Sequence, residues 1–498
     1  MSSEQLKKAR AYEERQMPLV SETERPVFHV TGGVGWINDP NGFSAYGGEY
    51  HLFFQYHPYS TMWGPMHWGH VKTKDFIRWE RLPIAMAPDS EFDNAGCFSG
   101  SAVELPDGRH LLLYTGVYPD SEQDGNMWRQ VQCVAVGDGV NYEKYPGNPV
   151  ISGADLPEGG SVYDFRDPKI WREDDGFYAV MGNRTSDGSG AVLLYRSEDG
   201  FHWQYAATLD RSKNEYGKMW ECPDFFPLDG KCVLVVSPQE MRPMGLEFHA
   251  GGGTAALLGT YDKEQFRFTR ERVQAIDYGI DFYAPQTLET CDGRRVMIAW
   301  MQNWATVSAQ RSGAKLFGEM TLPRELHIRD GRLIQNPVRE LETYRRNRTV
   351  HENVKVAEKE ITLPGICGRV LDMTVTIRPD EGGYRRFTLK LAKDGDFCTE
   401  ISYCPDTDTV RIDRSRCGFP HDIVHVREFA VRQRGGELKL RAVLDLHSAE
   451  LFINDGEQAA TFLLYADGGA EGISFRAEGC AEIDVEKYDL VIEKETKS

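Results

Sequence analysis

The sequence predicts an all-β protein, a five-bladed β-propeller followed by a C-terminal β-sandwich. Three observations carry this reading. Up to about residue 335 the chain consists of short apolar runs, rich in Tyr, Phe, Val and Leu, bounded by Gly, Asp and Pro. Turn pairs recur as Gly47-Gly48, Asp107-Gly108, Asp175-Gly176, Asp229-Gly230 and Asp292-Gly293, at steps of 60, 68, 54 and 63 residues. Such pairs favour tight hairpins. A second marker follows the first four of them: an acid opens a turn and an aromatic re-enters a strand, at Asp75 to Trp79, Asp138 to Tyr142, Asp199 to Trp203 and Asp262 to Phe268. Two hairpins per unit make a four-stranded sheet, and five such units make a propeller. One large sandwich of unrelated strands would not space both markers so evenly.

Taken in order, the chain begins with residues 1–24, which read as a helical, solvated arm. The propeller is assigned to residues 25–335. Residues 336–349 read as a partly helical linker, with Asn336-Pro337 and a charged run from Glu340 to Arg348. Residues 350–498 lose the blade markers. Their strands alternate polar and apolar residues at Ile361 to Leu363, Arg386 to Leu389, Thr409 to Ile412, Leu438 to Leu446, Glu450 to Ile453 and Gly472 to Phe475. Asn454-Asp455-Gly456 makes a turn between two of them. This pattern fits a two-sheet sandwich.

A chain of 498 residues exceeds one ordinary core, so two domains are natural. The formal charge of −19 argues against nucleic acid and anionic membranes as partners. Met1 to Gln16 is charged and has no apolar core, unlike a signal or transit peptide. Ten scattered cysteines form no CxxC pair and no cluster with histidines. A cytoplasmic location, reduced thiols, no metal and no cofactor are the expectations. The oligomeric state is open, and a homodimer is compatible with the sequence.

Chemistry concentrates at Trp36-Ile37-Asn38-Asp39-Pro40-Asn41-Gly42. An acid stands there between two amides, at the end of a buried strand. The propeller repeat puts four further segments at equivalent places: Phe98 to Ser101, Phe165 to Pro168, Trp220 to Pro223 and Ile280 to Tyr283. They are expected just before each blade's first strand, on one rim of the channel. Four of the five carry a carboxylate: Asp39, Asp167, Glu221 and Asp281. A purely structural channel would be apolar.

Glycoside hydrolysis needs two carboxyl groups flanking the scissile bond. Asp39, short and amide-flanked, suits an ionised nucleophile. Glu221, between Trp220 and Cys222, suits a general acid whose proton is retained by less polar surroundings. Arg166 should keep Asp167 ionised, which fits a hydrogen-bond acceptor. Trp36, Trp63 and Phe98 are candidate apolar walls for a sugar. Gln55 follows a buried run and can bond either a sugar hydroxyl or the backbone.

At these residues the sequence resembles glycoside hydrolase family 32, the invertase and β-fructofuranosidase family. The motifs that carry the likeness are WINDPNG (36–42), FSGS (98–101), FRDP (165–168) and WEC (220–222). QYHP (55–58), WGH (68–70), DYGIDFYAPQ (277–286) and GEMTLPREL (318–326) support it. SAELFINDGE (448–457) extends it into the sandwich. The combination in this order is specific, although no single motif is. Trp36-Ile37 replaces the family's Trp-Met and puts nothing essential in doubt.

The resemblance implies a propeller joined to a sandwich and a retaining mechanism without cofactor. It implies Asp39 as nucleophile, Asp167 as transition-state stabiliser and Glu221 as acid/base. Trp36, Asn38, Gln55, Trp63, Phe98, Ser99 and Arg166 are the matching substrate-binding positions. The implied substrates are small sugars with a terminal β-D-fructofuranoside: sucrose, sucrose 6-phosphate or short fructo-oligosaccharides. A phosphate would want Lys or Arg at the pocket mouth. Arg129, Arg184 and Arg311 are candidates, equally readable as solvated charges. Fructosyl transfer on the same scaffold is the alternative enzyme. A non-catalytic sugar-binding propeller would not need three acids on one rim. A sialidase-like propeller would want a Tyr nucleophile and more arginines there.

Overall fold

The computed structural model describes residues 3–123, 127–310, 313–419 and 422–493. Five antiparallel blades surround a central channel, and a nine-stranded sheet system forms the second domain. The inner strands of the blades are Gly35–Tyr46, Gly96–Glu104, Gly160–Glu173, Met219–Leu228 and Tyr283–Glu289. Each inner strand packs against the inner strands of the two neighbouring blades, so the ring is closed. Closure is reinforced in blade 1, where Leu316–Phe317 adds as a parallel fifth strand, with Gly35 opposite Leu316 and Trp36 opposite Phe317. That pair belongs to the long connection within blade 5. The last blade therefore covers the edge of the first.

The turn markers have physical causes. The five turn pairs all lie between the first and second strand of a blade. Gly47 and Gly48 both adopt positive φ, 60° and 79°, as a tight hairpin of this kind requires at both central positions. The acids of the second marker cap their own turns. Asp75 accepts from the amides of Ile77 and Arg78, Asp138 from Val140 and Asn141, and Asp199 from Phe201 and His202. A side-chain carboxylate is what folds the chain back there.

The second domain is organised by two long strands, Leu371–Asp394 and Gly472–Leu490, which pair along most of their length. The first pairs with Leu438–Asp445 through its early residues and with Phe397–Cys404 through its later ones. It thus passes from one layer to the other. Ile361 makes only an isolated bridge, to Phe475, rather than a strand of its own. The last blade strand runs Arg332–Pro337, and a 3-10 helix covers Arg339–Tyr344. Arg345–Val356 is then a strand, paired with Gly472–Leu490. Its charged, mostly exposed side chains suit an edge strand, and that is why the run read as a linker.

The N-terminal arm is less solvated than expected. Its helix, Glu4–Gln16, is capped by Ser3 and buries Leu6, Ala9 and Glu13. Glu13 accepts the Tyr56 hydroxyl at 2.8 Å. The expectation was set by the charge of the whole segment, whereas one apolar stripe is enough to dock it.

Candidate active site

Every blade breaks its inner strand at the same depth. In four blades two residues face one on the next strand: Asn38-Asp39, Asp167-Pro168, Cys222-Pro223 and Ala284-Pro285. In blade 2 Ser99 is the extra residue. A bulge interrupts the ladder and re-aims side chains. Proline suits the second bulge position because it has no N–H to leave unpaired. Asp167, Cys222 and Ala284 take positive φ of 62°, 47° and 54°, an uncommon conformation for residues with a Cβ. Asp39 and Asp167 thus sit in bulges, and Glu221 beside one, inside the inner strands rather than in front of them.

Asp281 does not join them. It is buried, accepts from Thr306 at 3.0 Å and from the Leu463 amide at 2.8 Å, and pairs with Arg414 of the second domain. It fastens the domains together. The blade-5 residue in register with Arg166 and Glu221 is Tyr283, each being the last paired residue before its bulge.

The other three acids converge. The Cys222 thiol lies 3.6 Å from Oδ2 of Asp39 and 3.6 Å from Oδ2 of Asp167. The Cys222 amide donates to Asp167 Oδ2 at 2.9 Å, and the Ser99 hydroxyl donates to Asp39 Oδ2 at 2.9 Å. Glu221 Oε1 accepts from Arg166 Nε at 2.9 Å, and Glu221 Oε2 accepts from the Tyr283 hydroxyl at 2.6 Å. Arg166 also donates to Gln130 and Asp164, both at 3.2 Å.

Burial and mutual repulsion set the electrostatics. Burial, reinforced by the charge of Glu221, pushes Asp39 up to about 6, against the hydrogen bond from Ser99. Asp39 is still mostly ionised at neutral pH. Asp167 was expected to be held ionised by Arg166. Instead burial pushes it up to about 7; Arg166 opposes this, while Glu221 and Asp39 add to it. The guanidinium gives its hydrogen bonds to Glu221, Gln130 and Asp164 and stays 4.0 Å from Asp167, so its pull does not overcome burial. The expected apolar setting of Glu221 is also absent. Trp220 turns into the core, donating to the Tyr216 carbonyl at 2.7 Å, and Cys222 faces the aspartates. Burial and the surrounding acids keep the Cys222 thiol and the Tyr283 hydroxyl protonated.

The remaining predicted residues divide. Asn38 and Ser99 stand beside Asp39. Trp36 is buried: its indole N–H donates to Asn38 at 2.8 Å and its ring stacks on Phe317 at 4.6 Å. It positions Asn38 rather than offering a sugar a face. Gln55 is buried and donates to the Cys97 carbonyl at 2.9 Å, the backbone role of its two options. Phe98 and Trp63 meet edge to face at 6.0 Å. Tyr283 and Cys222 were missed as site residues. The repeated proline, as Asp167-Pro168, Cys222-Pro223 and Ala284-Pro285, would have found them. Among the described residues, no three His, Cys, Asp or Glu are grouped to hold a metal, and no helix is long and apolar enough to cross a membrane.

Converging carboxylates on a propeller channel, with one of them gripped by an arginine and a tyrosine, define a hydrolase of glycosidic bonds. The chain belongs to glycosyl hydrolases family 32: the family's N-terminal domain matches residues 29–337 and its C-terminal domain residues 340–491. It is 35% identical over 483 residues to a sucrose-6-phosphate hydrolase of Zymomonas mobilis subsp. mobilis, covering 94% of this chain and 92% of that one. A raffinose invertase of Escherichia coli is 35% identical, covering 91% and 92%. Among solved structures, the GH32 β-fructofuranosidase of Bombyx mori superposes with a TM-score of 0.83 at 33% identity, over 97% of each chain. A variant of that enzyme, solved in complex with sucrose, gives a TM-score of 0.83 at 32% identity, covering 98% of this chain and 99% of that one.

Proposed function

We propose that this enzyme releases fructose from terminal β-D-fructofuranosides by a retaining mechanism. Asp39 attacks the anomeric carbon as the bond to the leaving oxygen breaks. Glu221 gives that oxygen its proton. Glu221 then takes a proton from water, which opens the fructosyl ester and frees Asp39. Asp167 holds ring hydroxyls and offsets the positive charge that develops at the anomeric carbon. The observation that carries the reading is the Cys222 thiol, 3.6 Å from both aspartates, on the residue next to Glu221.

Hydrolysis is favoured over fructosyl transfer because the similar proteins named above are hydrolases or invertases. All ten cysteines are free, which suits a reducing compartment, and we propose the cytoplasm.

The role assignment is tested with Asp39→Ala and Glu221→Ala. Both should lose nearly all activity on sucrose while staying folded. A fructoside with an activated leaving group needs little protonation, so it should rescue Glu221→Ala and not Asp39→Ala. Equal rescue of both, or of neither, overturns the assignment. β-Fructose should be the first product seen by NMR, and α-fructose would indicate inversion.

A further inference from the structure

An aromatic path leads outward from the acids. Ser99, bonded to Asp39, is followed back along the chain by Phe98, which meets Trp63 at 6.0 Å. Trp63 stacks on Trp128 at 6.0 Å and 16°. Trp63 is 37% exposed and Trp128 40% exposed, unusual for rings of this size. Trp128 opens the strand Trp128–Gly137. Side chains alternate along a strand, so Trp128 shares a face with Gln130. Gln130 accepts from Arg166, and Arg166 holds Glu221. The stacked indoles are thus linked to both acids, to Asp39 through Phe98 and Ser99 and to Glu221 through Gln130 and Arg166, and they lie outward of them.

Arg129 points to the opposite face and is already engaged. It donates to Asp120 at 2.9 Å and to Glu122 at 3.0 Å. Arg184 approaches Asp164 at 4.0 Å, and Asp164 also takes Arg166. Arg311 lies outside the described residues. A phosphate arriving here would compete with Asp120 and Glu122 for Arg129. An apolar, charge-balanced platform instead suits the C–H face of an uncharged sugar.

We infer that Trp128, with Trp63, seats the leaving group, and that this seat selects an unphosphorylated sugar over a sugar phosphate. The inference rests on the fructosidase reading and refines it. Trp128 touches the departing sugar, not the fructosyl ring, so its effect should depend on the leaving group.

The test compares wild type, Trp128→Ala and Trp128→Phe on sucrose and on methyl β-D-fructofuranoside, whose methyl group is too small to reach the platform. Trp128→Ala should lower kcat/KM for sucrose by about 10-fold, the scale of a lost ring contact, with the methyl fructoside within about 2-fold. Trp128→Phe should recover most of the loss. Wild type should cleave sucrose at least 10-fold more efficiently than sucrose 6-phosphate. A loss equal on both fructosides, no loss on sucrose, or equal efficiency on the phosphorylated sugar would each overturn the inference. Fructose release from the methyl fructoside by all three proteins shows that the fructosidase reading stands, so those failures count against the platform alone. A wild type that cleaves neither fructoside overturns both.

Discussion

The Tyr283 hydroxyl donates to Glu221 Oε2 at 2.6 Å, while the Ser237 carbonyl lies farther from it, at 3.2 Å. One hydroxyl has one proton, and the shorter contact takes it. Tyr283 is thus a positioning residue for the proposed proton donor. Tyr283→Phe keeps the ring and the packing. It should lower kcat on sucrose by about 10-fold or more, part of the 10²–10⁴ that acid–base catalysis supplies. The loss should shrink on a substrate with an activated leaving group. An equal loss on both substrates would detach Tyr283 from protonation.

As the proposed nucleophile Asp39 must be ionised, and burial holds its pKa up at about 6. The acid limb of kcat/KM should therefore start near pH 7, where Asp167 takes up its proton, and steepen as pH drops through about 6, where Asp39 does. Ser99 donates to the ionised form and holds the pKa down. Ser99→Ala should move that limb upward by about one unit, the scale of a hydrogen bond to a charged group. A limb that stays in place would assign it to another group.

Much of this was legible because backbone constraints leave residue types behind. Turns with positive φ demand Gly47 and Gly48, and capped turns demand Asp75, Asp138 and Asp199. The three convergent acids were legible for the same reason, since each stands at or beside a bulge marked by its neighbours. Blade 5 misled because Asp281 supplied a carboxylate at nearly the right spacing, while Pro285 marked the true register two residues past Tyr283. Ring closure by Leu316–Phe317 and the strand Arg345–Val356 were not legible. Both depend on partners far away in sequence, and neither needs a distinctive residue. The electrostatics of Asp167 were misread because Arg166, next to it in sequence, is spent on Glu221 in space.

Asp167→Asn separates charge from shape. Asp167 holds φ of 62°, a conformation that Asn tolerates, and Asn can still accept from the Cys222 amide. The substitution should lower kcat by about 10²–10³-fold, the range for losing one transition-state electrostatic contact. KM should move far less, and a better leaving group should not restore the rate. If Asp167 only orders its turn, the variant should melt earlier and keep the kcat of its folded fraction. Measuring both on one preparation decides between them.

The docking of the two domains should depend on pH through His29. Its Nδ1 lies 3.0 Å from Asp445 and its Nε2 2.9 Å from Glu450. Burial pulls its pKa down, but those two partners outweigh burial and raise it to about 10. Arg324 shares Glu450, and Glu319 beside them has its own pKa pushed up to about 7 by burial, with His29 opposing, so it also sheds its proton around pH 7. A raised folded pKa contributes stability that is complete below the unfolded value, about 6.5, and is lost as pH rises through about 10. Wild-type Tm should therefore fall between pH 7 and pH 10. His29→Gln cannot carry the charge and leaves the carboxylates of Asp445 and Glu450 facing each other. It should cost about 3 kcal/mol at pH 7, the lower end for breaking a buried ion pair. Other groups titrate in the same range, so the informative quantity is the difference between wild-type and variant Tm. That difference should narrow steadily from pH 7 to pH 10, and a constant gap would mean that His29 is not the group being titrated.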